Sequence, residues 1–207
     1  GRTQEVIYHL LLLRQQGRLP QEHIFLDSPM AIKASKVYWE YPHLYDEEAT
    51  RLRRDVNEMP HLQNLHLTSS VEESMAINNI RSGAIIIAGS GMCTGGRMVN
   101  HLKAGLAKPE NDVCFVGYQA AGAPGRDIQR YARKPGGYVY LDGEKVEIKA
   151  RIHVLTGYSA HADQNGLVEW VQAMPQKPAA IKLVHGETNA RRALAGVLKE
   201  KGYEVKG

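Results

Sequence analysis

Short runs of apolar and β-branched residues alternate with helix-length amphipathic stretches, the pattern of a parallel α/β sheet. Val6, Ile7, Leu10 and Leu13 recur at helical spacing and predict a helix over 4–16. Residues 23–26 predict a short strand ending in Asp27-Ser28-Pro29, with a helix over 31–41. The charge-rich stretch 45–57 reads as an exposed helix or lid. Residues 65–67 predict a strand. Thr68, Ser69 and Ser70 then offer N-caps, with Glu72 and Glu73 placed for a capping box ahead of a helix to about 81. The five apolar residues 84–88 predict a buried strand that enters a glycine-rich loop, 89–96. A helix over 98–106 and a strand over 112–117 follow, then a second glycine-rich loop over 117–126. Strands over 138–141 and 145–150 flank Asp142-Gly143, a two-residue hairpin signal, and 152–155 keeps strand character. After Gly157 the rhythm restarts with a helix over 164–173, a break at Pro175 and Pro178, a strand over 180–184 and a helix over 190–199. The prediction is an α/β fold of mostly parallel strands over 1–156 and a separate αβα segment over 157–207.

Composition narrows the class. The chain has 207 residues, two of them cysteine, which excludes a disulfide scaffold and a four-cysteine zinc module and favours a reducing, cytoplasmic compartment. Its longest apolar runs fall far short of the ~20 residues that cross a bilayer, so no membrane contact is expected. Twenty-six basic residues against 22 acidic ones give a net charge of +4, which mildly favours a polyanionic partner.

Three loops, 27–30, 89–97 and 117–126, each follow a predicted strand, where open parallel sheets place their ligand crevice. A glycine loop leading into a helix presents bare N–H groups to an anion. The run from Gly91 to Met98 narrowly misses a Walker A loop. Arg97 stands in place of the lysine and Met98 in place of the magnesium-binding hydroxyl. The dinucleotide fingerprint also fails, since the next glycine comes one position late. Phosphate contact remains open for Gly91, Gly95, Gly96 and Arg97, as does a tight turn that needs glycine torsions. Ser159, His161 and Asp163 do not satisfy a hydrolase triad, because a triad is assembled from distant segments. His185 follows a predicted strand, a common position for a metal ligand, yet zinc takes three or four ligands and no second cluster is present.

Five ordered motifs carry a resemblance. They are Gly1-Arg-Thr-Gln-Glu5, the loop 89–97, Phe115-Val-Gly-Tyr-Gln119 with Gly125-Arg126, Tyr158-Ser-Ala-His-Ala-Asp163, and Val184-His-Gly-Glu187. Together they resemble the β-CASP branch of the metallo-β-lactamase-fold nucleases over essentially the whole chain. The resemblance implies a Rossmann-like β-CASP cap over 1–156 and, over 157–207, the return of the chain to a metallo-β-lactamase domain. It implies a zinc-dependent ribonuclease that uses two zinc ions in the complete protein, with RNA in the cleft between the domains. His161 matches a motif histidine that contacts the scissile phosphate as general acid, and His185 matches one that ligates zinc. Ser159, the glycine loops, Arg97, Gly125 and Arg126 would hold phosphates; Tyr118 would stack a base or, as an aromatic at a strand end, belong to the core.

The family's His-x-His-x-Asp-His run is absent, as is its acidic first β-CASP motif. The chain therefore reads as a fragment that starts as the cap begins. It is expected to hold few or no zinc ions, to be inactive by itself, and to partner the missing N-terminal segment. The alternative is a non-catalytic RNA-binding β-CASP subunit; a homodimer is compatible with either.

Overall fold

The computed structural model of the chain describes residues 2–19, 23–56, 64–158 and 161–206. Its first elements are α1 (Arg2–Gln15), β1 (His23–Asp27), α2 (Pro29–Glu40), α3 (Glu47–Val56), β2 (Leu65–Leu67), α4 (Val71–Ile77) and β3 (Ala84–Ala88). Ser28 caps α2, its hydroxyl accepting from the Ala31 N–H at 3.3 Å. Pro29 sits in the first turn, where its missing N–H has no partner to lose. The expected capping box forms: Ser70 accepts from the Glu73 N–H, and the Glu73 carboxylate accepts from that of Ser70. α4 stops at Ile77, short of the expected 81. Beyond it the N–H groups of Asn78, Asn79 and Ile80 donate three residues back, the tight turn that often closes a helix.

β1 is the central strand of three, with β2 and β3 parallel on either side. Side chains alternate across a sheet. Ile24 and Leu26 accordingly pack with Ile7, Leu11, Ile32 and Leu52, while Asp27 belongs to the opposite face.

The next elements are α5 (Arg97–Gly105), β4 (Asp112–Phe115), α6 (Pro124–Tyr131), β5 (Tyr138–Leu141), β6 (Glu144–Glu147) and β7 (Arg151–Val154). β4 and β7 pair in parallel, and β5–β6 is the expected antiparallel hairpin. Asp142 and Gly143 at its tip have φ of 48° and 79°, as a type I′ turn requires. β6 ends at Glu147 rather than 150, because the N–H groups of Lys149 and Ala150 turn away to the Leu106 carbonyl at the end of α5. Val99, Leu102, Leu106, Ile128 and Leu141 centre a second core. α6 starts within the last three residues of the predicted loop 117–126 and runs on through a stretch for which no element was predicted. Pro124 opens it, and fully buried Ile128 supplies the contact that holds it.

The chain divides into two compact units, Gly1–Ser159 and Ala160–Gly207. The second contains α7 (Gln164–Gln172), β8 (Ile181–Lys182), α8 (Thr188–Glu200) and β9 (Val205–Lys206), with β8 and β9 parallel. Its core is Val168, Val171 and Leu198 with their partly buried neighbours. Asp163 caps α7 through the Gly166 N–H at 2.8 Å. Among the described residues, no helix is long and apolar enough to cross a membrane.

Candidate functional site

The carboxyl ends of β1, β2 and β3 converge on Asp27. Its side chain is fully buried and accepts three hydrogen bonds at 2.6 Å, from Ser74 Oγ on α4 and from Arg97 Nη1 and His101 Nε2 on α5. Burial by itself would raise the Asp27 carboxyl. The hydrogen bonds from Ser74, His101 and Arg97, with the Arg97 charge, outweigh it and hold the group below the usual carboxylate range. Nδ1 of His101 faces Asn78 Oδ1 at 2.8 Å.

Arg97 was a sequence candidate for phosphate binding, and its fork is already engaged by protein. Besides Asp27, Nη1 donates to the Thr68 carbonyl and Nη2 to the Ser69 carbonyl, both at 2.8 Å. One guanidinium thus ties the start of α5 to the end of β1 and to the loop after β2. Gly96, the residue before it, has φ +71° and begins α5 with no side-chain cap. A glycine meets that conformation at little steric cost. Gly91 and Gly95 border open space, where a side chain would meet nothing within 4 Å. Between them Cys93 is buried at φ 58°, and burial pushes its thiol up to about 11, which removes it as a nucleophile at neutral pH.

The two glycine loops dock on each other through Gln119. This buried amide donates to the Gly91 carbonyl at 2.7 Å and more weakly to those of Gly117 and Tyr118, both at 3.2 Å. The Gly125 N–H donates to the Met92 carbonyl at 3.2 Å. A Cβ on Gly125 would lie 1.8 Å from Gln119 Oε1, so only glycine fits there. Arg126 follows immediately and is exposed, as is Tyr118. The Arg2 guanidinium lies against Gly117.

The structure therefore brings Gly91, Gly95, Gly96, Arg97, Gly125 and Arg126 together in the first unit. His161 and His185 lie in the second unit, both exposed, on the loops before α7 and after β8. Ser159 lies outside the described residues. No three His, Cys, Asp or Glu side chains among the described residues converge as a metal site. The donor set does not fit zinc by itself, since a catalytic zinc takes three protein ligands.

Sequence reading placed Asp27 in a candidate loop and Gln119 in a motif, but assigned neither a role and did not single out Ser74 or His101. A signal existed for Asp27: an acid placed directly after a buried strand and before Ser-Pro. None existed for His101, whose partners Asp27 and Asn78 are long-range.

Comparison with known proteins agrees with this geometry. A family model described as the Beta-Casp domain matches residues 3–128. A second, described as the Zn-dependent metallo-hydrolase RNA specificity domain, matches 145–206, leaving 129–144 between them. Ribonuclease TTHA0252 of Thermus thermophilus is 37% identical over 204 residues, which cover 99% of this chain and 45% of that protein. Transcription termination factor FttA of Pyrococcus horikoshii is 31% identical over 212 residues, covering 97% and 31%. An RNase J-like protein of Methanocaldococcus jannaschii is 28% identical over 188 residues, covering 90% and 41%. The chain thus spans less than half the length of these relatives. With the cap model matched over more than half of its residues, at the same loops that the Asp27 cluster and Gln119 hold in place, this chain belongs to the β-CASP branch of the metallo-β-lactamase-fold nucleases.

Proposed function

We propose that the chain is the RNA-gripping part of a metal-dependent ribonuclease. The observation that carries this is the docked pair of glycine loops at the carboxyl ends of parallel strands, with Arg126 exposed beside them. Arg126 supplies a planar cation for a phosphate, and Gly91 and Gly95 leave room for the backbone to approach it. Arg97 positions these loops from beneath. In the second unit, His161 is assigned as proton donor to the leaving oxygen. His185 is assigned as one donor to a zinc ion whose remaining ligands are other than the described residues. Ser159 is assigned a phosphate contact next to His161. Both cysteines are free thiols, which supports a cytoplasmic setting.

The two histidines separate by experiment in a longer protein containing this chain. His185→Ala should lower bound zinc together with rate. His161→Ala should keep the zinc and slow RNA cleavage by roughly 10²–10⁴, the usual contribution of general acid–base catalysis. Zinc lost from the His161 variant and retained by the His185 variant would reverse the two roles. The 207-residue chain by itself should bind RNA without cleaving it, because one imidazole does not hold a catalytic zinc.

A further inference from the structure

From Arg126 onward the first unit carries a cationic ridge that leads to an aromatic platform. Arg126 and Arg130 are one turn apart on α6, about 6 Å along its axis, comparable to the spacing of neighbouring phosphates on a single strand. Arg133 and Lys134 follow in the turn after α6, and all four are exposed. Among the described residues, none of the four has an acidic side chain within ion-pairing distance. Arg130 and Lys134 instead flank the Tyr131 ring, at 5.6 and 5.1 Å from its centroid.

The ridge is fastened to the hairpin. Gly137 packs so closely on the last turn of α6 that a Cβ would lie 2.1 Å from the Tyr131 carbonyl oxygen, and its own carbonyl accepts from the Ile148 N–H. On β5 the buried Val139 and Leu141 face the core, so Tyr138 and Tyr140 stand on the outer face, 42% and 58% exposed. Their rings meet edge to face at 5.7 Å. Lys145, opposite Tyr140 on β6, lays its ammonium 4.2 Å from the centre of the Tyr138 ring. The nearby acids are engaged already: Glu147 by Lys149, and Asp142 and Glu144 by Lys103. The three lysines thus balance the three acids, and the face is aromatic with one cation, Lys145, held on the Tyr138 ring. Exposed rings on a sheet face stack unpaired bases whatever their identity, while cations follow the backbone.

We infer that α6 and the outer hairpin face form a second contact surface for single-stranded RNA. Phosphates would lie along Arg126, Arg130, Arg133 and Lys134, with bases stacked on Tyr140 and on Tyr138. The inference deepens the ribonuclease reading and rests on RNA being the ligand. It extends the grip beyond the glycine loops, through the stretch between the two matched family domains.

Anisotropy titration of the 207-residue chain with a fluorescent 20-nucleotide oligouridylate tests it. Tyr138→Ala/Tyr140→Ala should weaken binding roughly tenfold or more with the salt slope preserved, and Tyr138→Phe/Tyr140→Phe should restore it. Arg130→Ala/Arg133→Ala should weaken binding and lower the salt slope by about 0.7 for each cation removed. A 5-iodouridine oligomer should photocross-link to Tyr138 or Tyr140 in the wild-type chain. If both alanine pairs bind as wild type while Arg126→Ala weakens binding, the hairpin surface is refuted and the loop site stands. If the wild-type chain binds no oligomer, both readings fall. Self-association that disappears in the tyrosine variant, with RNA binding unchanged, would assign the face to a second copy of the chain and overturn the inference.

Discussion

A carboxylate with no solvent contact stands or falls with its partners, and Asp27 has three. Removing one partner from a buried pair costs about 3–5 kcal/mol, because a charge is left uncompensated. Arg97→Ala should therefore shift the urea midpoint by a corresponding amount. Arg97→Lys should recover only part of it, since an ammonium cannot reach Asp27 and two carbonyls with one planar fork. Asp27 also ties stability to pH. Its folded value is depressed below the unfolded value of about 3.9, so its contribution is fully present above that value. It is lost as the pH falls through the lower folded value. Asp112, held down by hydrogen bonds from Arg151 and His153, acts in the same direction. The acid loss of Asp27→Asn should accordingly be shallower than that of wild type, with the difference isolating Asp27. Equal slopes in acid titrations followed by circular dichroism would remove the cluster from this role. At the second loop, Gly125→Ala should destabilise the first unit measurably, because its methyl overlaps the Gln119 amide.

Among the elements, those with a local cause were legible. The capping box from Ser70 to Glu73, the Asp142-Gly143 turn and the apolar run of β3 each carry their cause within a few residues. β3, with one strand neighbour among the described residues, is nonetheless partly buried rather than buried as expected. α6 and β9 were not. α6 is held by Ile128 reaching a core assembled from α5 and the hairpin, and β9 by pairing with β8 across α8. Such contacts have no local signature. The same distinction applies to the site, where glycines and charged residues were visible as motifs. The acceptors of Arg97 were not, two of them being backbone carbonyls from the loop after β2. At this scale Ser70→Ala should cost about 1 kcal/mol, as loss of an N-cap usually does. Amide exchange in the first turn of α4 should report it before global unfolding.

Across the whole molecule, the two units differ in how much core they own. The first has two clusters of buried side chains; the second has Val168, Val171, Leu198 and a partly buried fringe. A domain with so little buried surface is marginal by itself. Hydrogen exchange should therefore be faster in α7 and α8 than in α5 or β4, and a single cooperative protection level across these three helices and one strand would contradict this. The second unit also carries His161 and His185. The residues assigned to chemistry thus sit on the unit with the smaller core, while Arg97, Arg126 and the glycine loops assigned to grip sit on the unit with the larger one.

The Arg97 fork has a consequence for how this sequence can drift. Two of its three acceptors are main-chain oxygens, which every amino acid supplies. The exposed side chain at Ser69 can therefore vary without disturbing the clamp. An insertion or deletion between β2 and α4 would move both carbonyls out of reach. Across descendants of this chain, that loop should tolerate changes of identity and resist changes of length.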